Sequence, residues 1–182
     1  MTGNLEAHRP AELALHHRNP RQGDVAAIAG SLRANGQYKP IVVNRGTHTG
    51  RPMEVLAGNH TLMAIRNLAE TYPSDDRWAS VDCWVIDVDD DRATRIVAAD
   101  NRTSELGTFD DRLLAELLGE LDDLEGTGYT DDDLSELVDS LDDDTPEFEP
   151  DDDGLGELDK LEPRYCQKCG YDTANDPEGI SL

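Results

Sequence analysis

The sequence predicts an α+β fold, in which a small mixed β-sheet is flanked by helices and is followed by acidic helices and a disordered acidic tail. Two observations predict the mixed architecture. Short β-branched runs such as Ile41-Val42-Val43 are typical of strands, and apolar residues that recur every three to four positions, as over 25–32, are typical of helices. The uneven charge along the chain is the third observation, and it predicts the acidic continuation.

The net charge of −24 is concentrated toward one end of the 182-residue chain. Residues 1–110 hold 12 basic and 15 acidic side chains, whereas residues 111–182 hold 4 and 25. We therefore expect a folded domain over 1–107, an acidic helical extension over 108–141, and a disordered acidic linker over 142–182 that ends in a Cys-x-x-Cys knuckle. Such a tail can solvate a flexible end, repel DNA, mask a basic surface or bind a basic protein.

The composition excludes several classes of protein. The chain has no apolar run of roughly 18 residues, so a membrane span is not expected. Its first residues lack the basic-then-apolar pattern of a secretory signal. Three cysteines are too few for a disulfide framework, and they indicate a reducing compartment, so we expect a cytoplasmic protein. The acidic total also excludes a uniformly basic nucleic-acid binder.

The first predicted helix has clear boundaries. Residues 1–18 lack periodicity, and a short strand or a frayed helix over 11–17 stays open. Asp24 predicts the N-cap of the helix, and Asn35-Gly36 predicts its end. Four apolar residues recur at i, i+3, i+4 and i+7 and form one apolar face of the helix: Val25, Ile28, Ala29 and Leu32.

A hairpin and a second helix follow. A β-branched segment over 39–44 and a largely apolar segment over 53–57 predict two strands, joined by a glycine-containing loop over 45–51. Gly58 comes directly after the second of these strands, and apolar spacing then predicts a helix to about Thr71. A strand that turns at a glycine into a helix leaves the first backbone amides of the helix free to bind an anion.

The remaining elements alternate in the same way. Residues 81–87 predict a third strand, and Asp89 or Asp90 caps a helix that ends near Arg102. Thr108 with Asp111 resembles a capping box for a leucine-rich helix over 113–121. Thr130 is expected to cap a last helix whose apolar residues are Leu134, Leu137, Val138 and Leu141.

Three ordered blocks carry a family resemblance. Residues 31–43, 54–64 and 99–103 resemble, in order and spacing, the N-terminal domain shared by ParB partition proteins and sulfiredoxin, the ParB/Srx superfamily. The similarity extends over Asn19 to Leu106. It implies an α+β domain that binds nucleotide phosphates beside the glycine of the second block, and "ParB-like domain" is the label we expect.

The second block departs from both branches of that superfamily. Partition-type ParB proteins place two arginines after the glycine to hold a CTP triphosphate, and here these positions are His60 and Thr61. Sulfiredoxin has Gly-Cys-His-Arg, and here Asn59 replaces the cysteine, so sulfinic-acid reduction is not expected. Free-serine kinases of the superfamily also carry a histidine in this loop, so phosphoryl transfer stays open.

The candidate phosphate-binding residues centre on the glycine turn. Gly58 permits close approach of the backbone to a ligand, His60 and Thr61 can donate hydrogen bonds to phosphate oxygens, and Asn59 can cap the helix or contact a base. His60 is also the best candidate for a general base. The alternative is an ordinary strand-to-helix turn capped by Asn59, with His60 on the surface.

The third block supplies candidate metal ligands. Asp100 and Asn101 offer oxygen donors of the kind that Mg²⁺ prefers, and the resemblance implies Asn101 at the metal and Asp100 near a γ-phosphate in a catalytic position. The alternative is that Asn101 caps the end of a helix. Three basic residues complete the nucleotide site, either as phosphate ligands or as solvated surface: Arg21, Lys39 and Arg102.

The cysteines and the remaining histidines give weaker indications of a metal site. Cys166 and Cys169 have the spacing of a zinc knuckle, but zinc needs four ligands, so a pair of chains would have to share the ion or the knuckle stays empty. Cys83 is expected to be buried in a strand. The histidines His8, His16 and His17 have no acidic or cysteine partner at ligand spacing.

The function expected from these residues is nucleotide binding, of CTP or ATP, in a DNA-associated phage or mobile-element system, with NTPase or nuclease activity left open. One alternative is a small-molecule phosphotransferase of the free-serine-kinase type. Another is a non-enzymatic interaction protein whose acidic tail mimics DNA or masks a basic surface. Direct DNA binding is expected to be weak, because residues 110–141 contain Arg112 as their only basic side chain. A homodimer is also compatible with the sequence.

Overall fold

A computed structural model describes residues 2–143, and it has the predicted α+β architecture. Four strands form one sheet in the order β1-β4-β2-β3. Their bounds are β1 Asn4–His8, β2 Ile41–Asn44, β3 Glu54–Ala57 and β4 Val81–Ile86. The sheet is mixed, because β2 pairs antiparallel with β3 but parallel with β4, and β1 pairs antiparallel with β4.

Five α-helices accompany the sheet within residues 2–143. Their bounds are α1 Val25–Asn35, α2 Asn59–Thr71, α3 Asp90–Leu106, α4 Asp111–Gly119 and α5 Asp131–Asp143. None of the helices within the described part of the chain is both long and apolar enough to cross a membrane. The predicted linker lies outside the described residues from position 144 onward.

The predicted boundaries of α1 are confirmed. The Asp24 carboxylate accepts hydrogen bonds from the amides of Ala26 and Ala27, at 2.8 and 2.9 Å, and so satisfies two amides of the first turn. Gly36 ends the helix with a φ of 71°, in the left-handed region that glycine adopts without strain. The β2–β3 hairpin and the start of α2 after Gly58 also agree with the prediction.

Strand β1 was not predicted. Its five residues are mostly exposed, so they lack the strong alternation of a half-buried strand. The strand exists because its backbone pairs with β4, from Asn4 opposite Val85 to His8 opposite Val81. A short edge strand of this kind depends on its partner more than on its own side chains.

Two predicted boundaries in the second half are wrong. Helix α3 continues past Arg102 to Leu106, because Thr103 and Ser104 turn their hydroxyls back onto helical carbonyls, at 2.8 Å each, and are accommodated inside the helix. The cap of α4 is Asp110 and not Thr108, since the Asp110 carboxylate accepts from the Leu113 amide at 3.0 Å. Asp89 caps α3, as one of the two predicted candidates.

The core lies on both faces of the sheet. On one face, α1 and α2 pack over residues such as Val43, Val55 and Val85. On the other face, α3 packs over Leu56 and Ile86. Successive residues of β3 and of β4 therefore enter different clusters, as the alternation of side chains along a strand requires.

A buried asparagine joins the two central strands. Asn44, at the end of β2, is fully buried, and its amide group exchanges two hydrogen bonds with the backbone of Val88, just after β4. These bonds, at 3.1 and 3.0 Å, satisfy a backbone donor and a backbone acceptor that have no access to water.

We expect Asn44→Ala to lower the free energy of unfolding by about 3 kcal/mol, because it leaves both Val88 groups buried and unpaired. Equilibrium urea unfolding measures the change. Asn67→Ala, at an exposed position of α2, is the matched control and should shift stability by less than about 0.5 kcal/mol. Equal effects of the two substitutions would contradict this role of Asn44.

Candidate functional site

The turn between β3 and α2 is built around Gly58. This residue has a φ of 93°, and a Cβ there would lie 2.5 Å from Cγ2 of Ile41, so only glycine fits the space beside β2. No side chain within residues 2–143 caps α2. The backbone amides of Asn59, His60 and Thr61 thus lie in the first turn, without helical partners, at the positive end of the helix dipole.

A cavity of about 360 Å³ opens beside this turn, and we call it the Gly58 cavity. Its walls come from the loop at 19–21, from α1, from residues 37–42, from the Gly58 turn and from α3. Chain segments that are far apart in sequence therefore meet here. Eight of the predicted site residues line the cavity: Arg21, Lys39, Gly58, Asn59, His60, Thr61, Asp100 and Asn101.

The Asn59 side chain has a different role from the expected one. It is only 6% exposed, and it caps no helix amide. Its oxygen accepts from the His16 amide at 2.8 Å, and its nitrogen donates to the Val55 carbonyl at 3.3 Å. The side chain thus ties the segment around His16 to β3. In this arrangement Asn59 is available to a ligand through its backbone amide.

His60 is held by Gly23. The Gly23 amide donates to Nε2 of His60 at 3.0 Å, and the ring lies so close that a Cβ on Gly23 would be 3.0 Å from it. A neutral imidazole whose Nε2 accepts a hydrogen bond carries its proton on Nδ1. The ring therefore offers a donor and has no free lone pair, which suits binding of an anion better than the general-base role considered from the sequence.

Asp100 and Asn101 lie inside α3, so the alternative that Asn101 caps a helix end is wrong. The Asn101 side-chain nitrogen donates a hydrogen bond to the Val97 carbonyl at 3.0 Å. The side-chain oxygen is left to accept a hydrogen bond or to bind a metal ion. Asp100 is exposed at the cavity wall. One carboxylate and one amide oxygen are thereby presented from adjacent positions.

The basic residues divide into two groups. Arg21 and Lys39 are at the cavity, and neither takes part in an ion pair between described side chains. Arg102 is not brought to the cavity; it is 65% exposed and pairs with Glu105 at 3.4 Å. The helical spacing places Arg102 about 200° around α3 from Asp100, on the opposite side of the helix, which explains the difference.

Tyr38 is a cavity residue that the sequence analysis missed. It lies between Gln37 and Lys39 and is 76% exposed, an unusual degree for a large aromatic ring. An aromatic residue next to a candidate phosphate-binding lysine is the sequence signal that could have identified it, because an exposed ring can stack on a base.

The structure corrects the conclusion that His8, His16 and His17 lack an acidic partner. Nε2 of His8 lies 3.1 Å from Oε2 of Glu6, two positions earlier in the chain. His16 and His17 share a more distant acidic partner. Both lie beside Glu54, and the ligand atoms of the three residues fall within 4.8 Å of one another. Nδ1 of His17 is 2.7 Å from Oε1 of Glu54, and the His17 amide donates to the same oxygen at 3.1 Å. The partner is 37 positions away in the chain, so spacing alone could not reveal it.

This cluster satisfies a buried carboxylate and is a poor site for a cation. Glu54 is 2% exposed, and Arg51 donates to its second oxygen at 3.0 Å, while Arg18 donates to Nε2 of His17 at 3.2 Å. Burial alone would raise the pKa of Glu54, but the hydrogen bonds from His17 and Arg51 outweigh it and hold the pKa below its ordinary value of 4.5. Two guanidinium groups so close would repel a metal ion.

The cysteines give no support for a zinc site in the described residues. Cys166 and Cys169 lie outside those residues. Cys83 is fully buried in β4, as predicted, and burial raises the pKa of its thiol to about 11. A thiol so protonated is neither a ready metal ligand nor a nucleophile.

No family model matches the chain, and no curated protein matches it. Several solved structures are similar to the chain. One is the C-terminally truncated chromosome-partitioning protein ParB from Caulobacter crescentus complexed with CTP-gamma-S. It is 18% identical with a TM-score of 0.48, over 75% of this chain and 71% of that one. A Pnob8-like ParB-N domain is 16% identical with a TM-score of 0.44, over 63% and 43%. Caulobacter crescentus ParB complexed to the centromeric parS site is 15% identical with a TM-score of 0.40, over 74% and 64%.

These structures belong to the family that the three sequence blocks resemble. Their identities to this chain are 18% or less, and their TM-scores are below 0.5. The candidate site of this chain is therefore described from the residues that line its own cavity.

We expect Glu54→Gln to lower the free energy of unfolding at pH 7 by about 2 kcal/mol, because the charge-assisted bonds to Arg51 and His17 are lost. The folded-state pKa of Glu54 lies below the unfolded value of 4.5, so its stabilisation is complete above about pH 5 and is lost as the pH falls. The variant should therefore lose less stability than the original chain between about pH 5 and pH 3.

Urea unfolding at several pH values tests this expectation. Glu70→Gln, at an exposed position of α2, is the control and should change the free energy of unfolding at pH 7 by less than about 0.5 kcal/mol. An unchanged dependence of stability on pH in Glu54→Gln would show that folding does not lower the pKa of this carboxyl.

Proposed function

We propose that the chain binds a nucleotide, with its phosphate groups in the Gly58 cavity. The observation that carries the proposal is the convergence of three kinds of group on that cavity. These are the unpaired amides of the first turn of α2, the cations Arg21 and Lys39, and the oxygens of Asp100 and Asn101. A second cavity, lined by residues 72–76, contains the carboxylates of Asp75 and Asp76 but no basic side chain.

The amides and the cations favour a phosphate group. Backbone N–H groups at a helix start point toward an anion, and the helix dipole adds about 0.3–1 kcal/mol to its binding. Nδ1–H of His60 and the Thr61 hydroxyl are further donors at the same wall. Lys39 and Arg21 supply full positive charges without having to break ion pairs between described residues.

The size and the rim of the cavity favour a nucleotide over a free phosphate ion. The volume of about 360 Å³ lies at the lower end of the range for small-molecule sites. Phosphates and sugar would fill it, and the base would lie at the rim against Tyr38. Stacking of a base on an exposed aromatic ring is tolerant of base identity, so both CTP and ATP suit this arrangement.

Asp100 and Asn101 fit a magnesium ion bound together with the phosphates. Mg²⁺ takes hard oxygen ligands, and it commonly uses one or two protein groups in addition to phosphate oxygens and water. The Asp100 carboxylate and the Asn101 amide oxygen are such groups. When bound, the ion would offset the electrostatic repulsion between the phosphate groups and the Asp100 carboxylate.

We propose binding in preference to turnover. Hydrolysis or phosphoryl transfer needs a general base, and the lone pair of His60 Nε2 is engaged by Gly23. Asp100 is the remaining carboxylate at the cavity, and its proposed role as a metal ligand would occupy the oxygen lone pairs that a general base needs. A place in a DNA-associated phage or mobile-element system rests on the resemblance to ParB domains.

We expect CTP or ATP to raise the melting temperature of the chain, and Lys39→Ala to weaken nucleotide binding by about tenfold, since a charged hydrogen bond contributes about 1.5–3 kcal/mol. Thermal shift identifies the nucleotide, and isothermal titration calorimetry measures the affinity. Arg102→Ala is the matched control, because Arg102 lies off the cavity. Equal losses in the two variants, or no shift with any nucleotide, would overturn the proposal.

We expect Mg²⁺ to increase nucleotide affinity, and Asp100→Asn to remove most of that increase. Without the ion, the same variant should bind at least as tightly as the original chain, because a negative charge beside the phosphates is gone. Calorimetry with Mg²⁺ and with a chelator separates the two effects. Glu105→Gln, on the same helix but off the cavity, should keep the Mg²⁺ dependence.

A further inference from the structure

Exposed apolar side chains recur from the last residue of α3, through α4, to the residues just after α4. Leu106, Phe109, Leu113, Leu117 and Leu121 are 62%, 72%, 61%, 60% and 45% exposed, respectively. We call these five residues the leucine strip. They are spaced three or four positions apart, and Leu113 and Leu117, one helical turn apart within α4, lie on the same face of that helix.

The strip is a second apolar face of α4. The helix packs on α5, and Leu118 is buried with 3% exposure. A helix that packs one face on its neighbour needs only polar residues elsewhere, so the additional leucines are not explained by the fold of residues 2–143. Large exposed apolar side chains that share one helix face, as Leu113 and Leu117 do, are typical of an interaction site.

The extension that carries the strip is attached to the rest of the domain. Asn35 at the end of α1 donates to the Gly126 carbonyl at 3.1 Å, and Gly126 lies so close to Ala34 that no side chain would fit there. A guanidinium nitrogen of Arg33 lies 3.8 Å from a carboxylate oxygen of Glu125. These contacts place the α4–α5 connection against α1, so the strip is presented on an anchored surface.

The surroundings of the strip are strongly acidic. Residues 108–141 contain 12 acidic side chains, and Arg112 is their only basic one. Asp110, Asp111, Glu116 and Glu120 on or next to α4 are all exposed. A phosphate backbone is repelled by such a surface, and so is the same surface of a second copy. Residues 144–182 contain 12 acidic and 3 basic side chains, so their composition does not supply the positive charge that suits this surface.

We infer that the leucine strip is a docking site for a basic amphipathic helix of another protein. Apolar side chains of that helix, one turn apart, would pack on Leu113 and Leu117, and flanking lysines or arginines would pair with the acidic residues beside them. The combination of an apolar centre with a rim of one charge sign selects a partner of the opposite sign. This site is separate from the Gly58 cavity and does not rest on nucleotide binding.

A labelled model peptide tests the inference. The probe is a helix-forming peptide of about 18 lysines and leucines with the leucines on one face, and its anisotropy is followed during titration with the full chain. We expect Leu113→Ser with Leu117→Ser to weaken binding by about tenfold. Leu5→Ser, which removes an equally exposed leucine on β1, should change binding by less than about twofold. A scrambled peptide of the same composition should bind about tenfold more weakly, because its leucines no longer form one face.

A charge variant keeps the test decisive if the double serine variant does not fold. Glu116→Gln with Glu120→Gln should weaken peptide binding by about threefold at low salt, and the loss should shrink as salt is added. Equal binding of the scrambled peptide, or no effect of either double variant, would overturn the inference. Sedimentation that shows a dimer, dissociated by the serine substitutions, would also overturn it, because a second copy would then cover the strip.

Discussion

The close approach of Gly58 to Ile41 governs the geometry of the candidate site. Because residue 58 has a positive φ and no Cβ, β3 can turn directly into α2 beside the first residue of β2. The first turn of the helix then opens into a cavity and is not covered by a cap. The other groups proposed to bind a phosphate line the same cavity as those amides. A side chain at position 58 would push β2 and the start of α2 apart and so change the shape of that cavity.

A second buried anchor holds the segment that precedes α1. Glu54 at the start of β3 binds His17 and Arg51, while Asn59 at the start of α2 binds the His16 amide. Both ends of the short path from β3 to α2 are thereby tied to the same stretch of chain. His60 adds a third connection through Gly23. Polar side chains that could have been ligands are used to position the walls of the cavity.

Charge separates the two proposed surfaces of the molecule. The Gly58 cavity combines cations and free amides with a few oxygen ligands, which suits a polyanion with its metal ion. The α4–α5 extension combines exposed leucines with many carboxylates, which suits a basic helix and repels nucleic acid. A chain with a large negative total charge can therefore bind an anion at one place, because binding is decided by local groups and not by the sum.

The local features of this fold could be predicted because their signals act within a few residues. The Asp24 cap, the Gly36 stop, the β2–β3 hairpin and the strand–glycine–helix turn at Gly58 each depend on neighbours in the chain. Other features depend on segments that packing brings together. They are the pairing of Glu54 with His17, the hydrogen bond from the Gly23 amide to His60, and the position of Tyr38 at the cavity. Strand β1 likewise exists through its partner β4. The sequence by itself determined which residues could bind phosphate, but only the tertiary structure decided which lone pairs and charges stay free to do so, because hydrogen bonds between distant segments engage the others first.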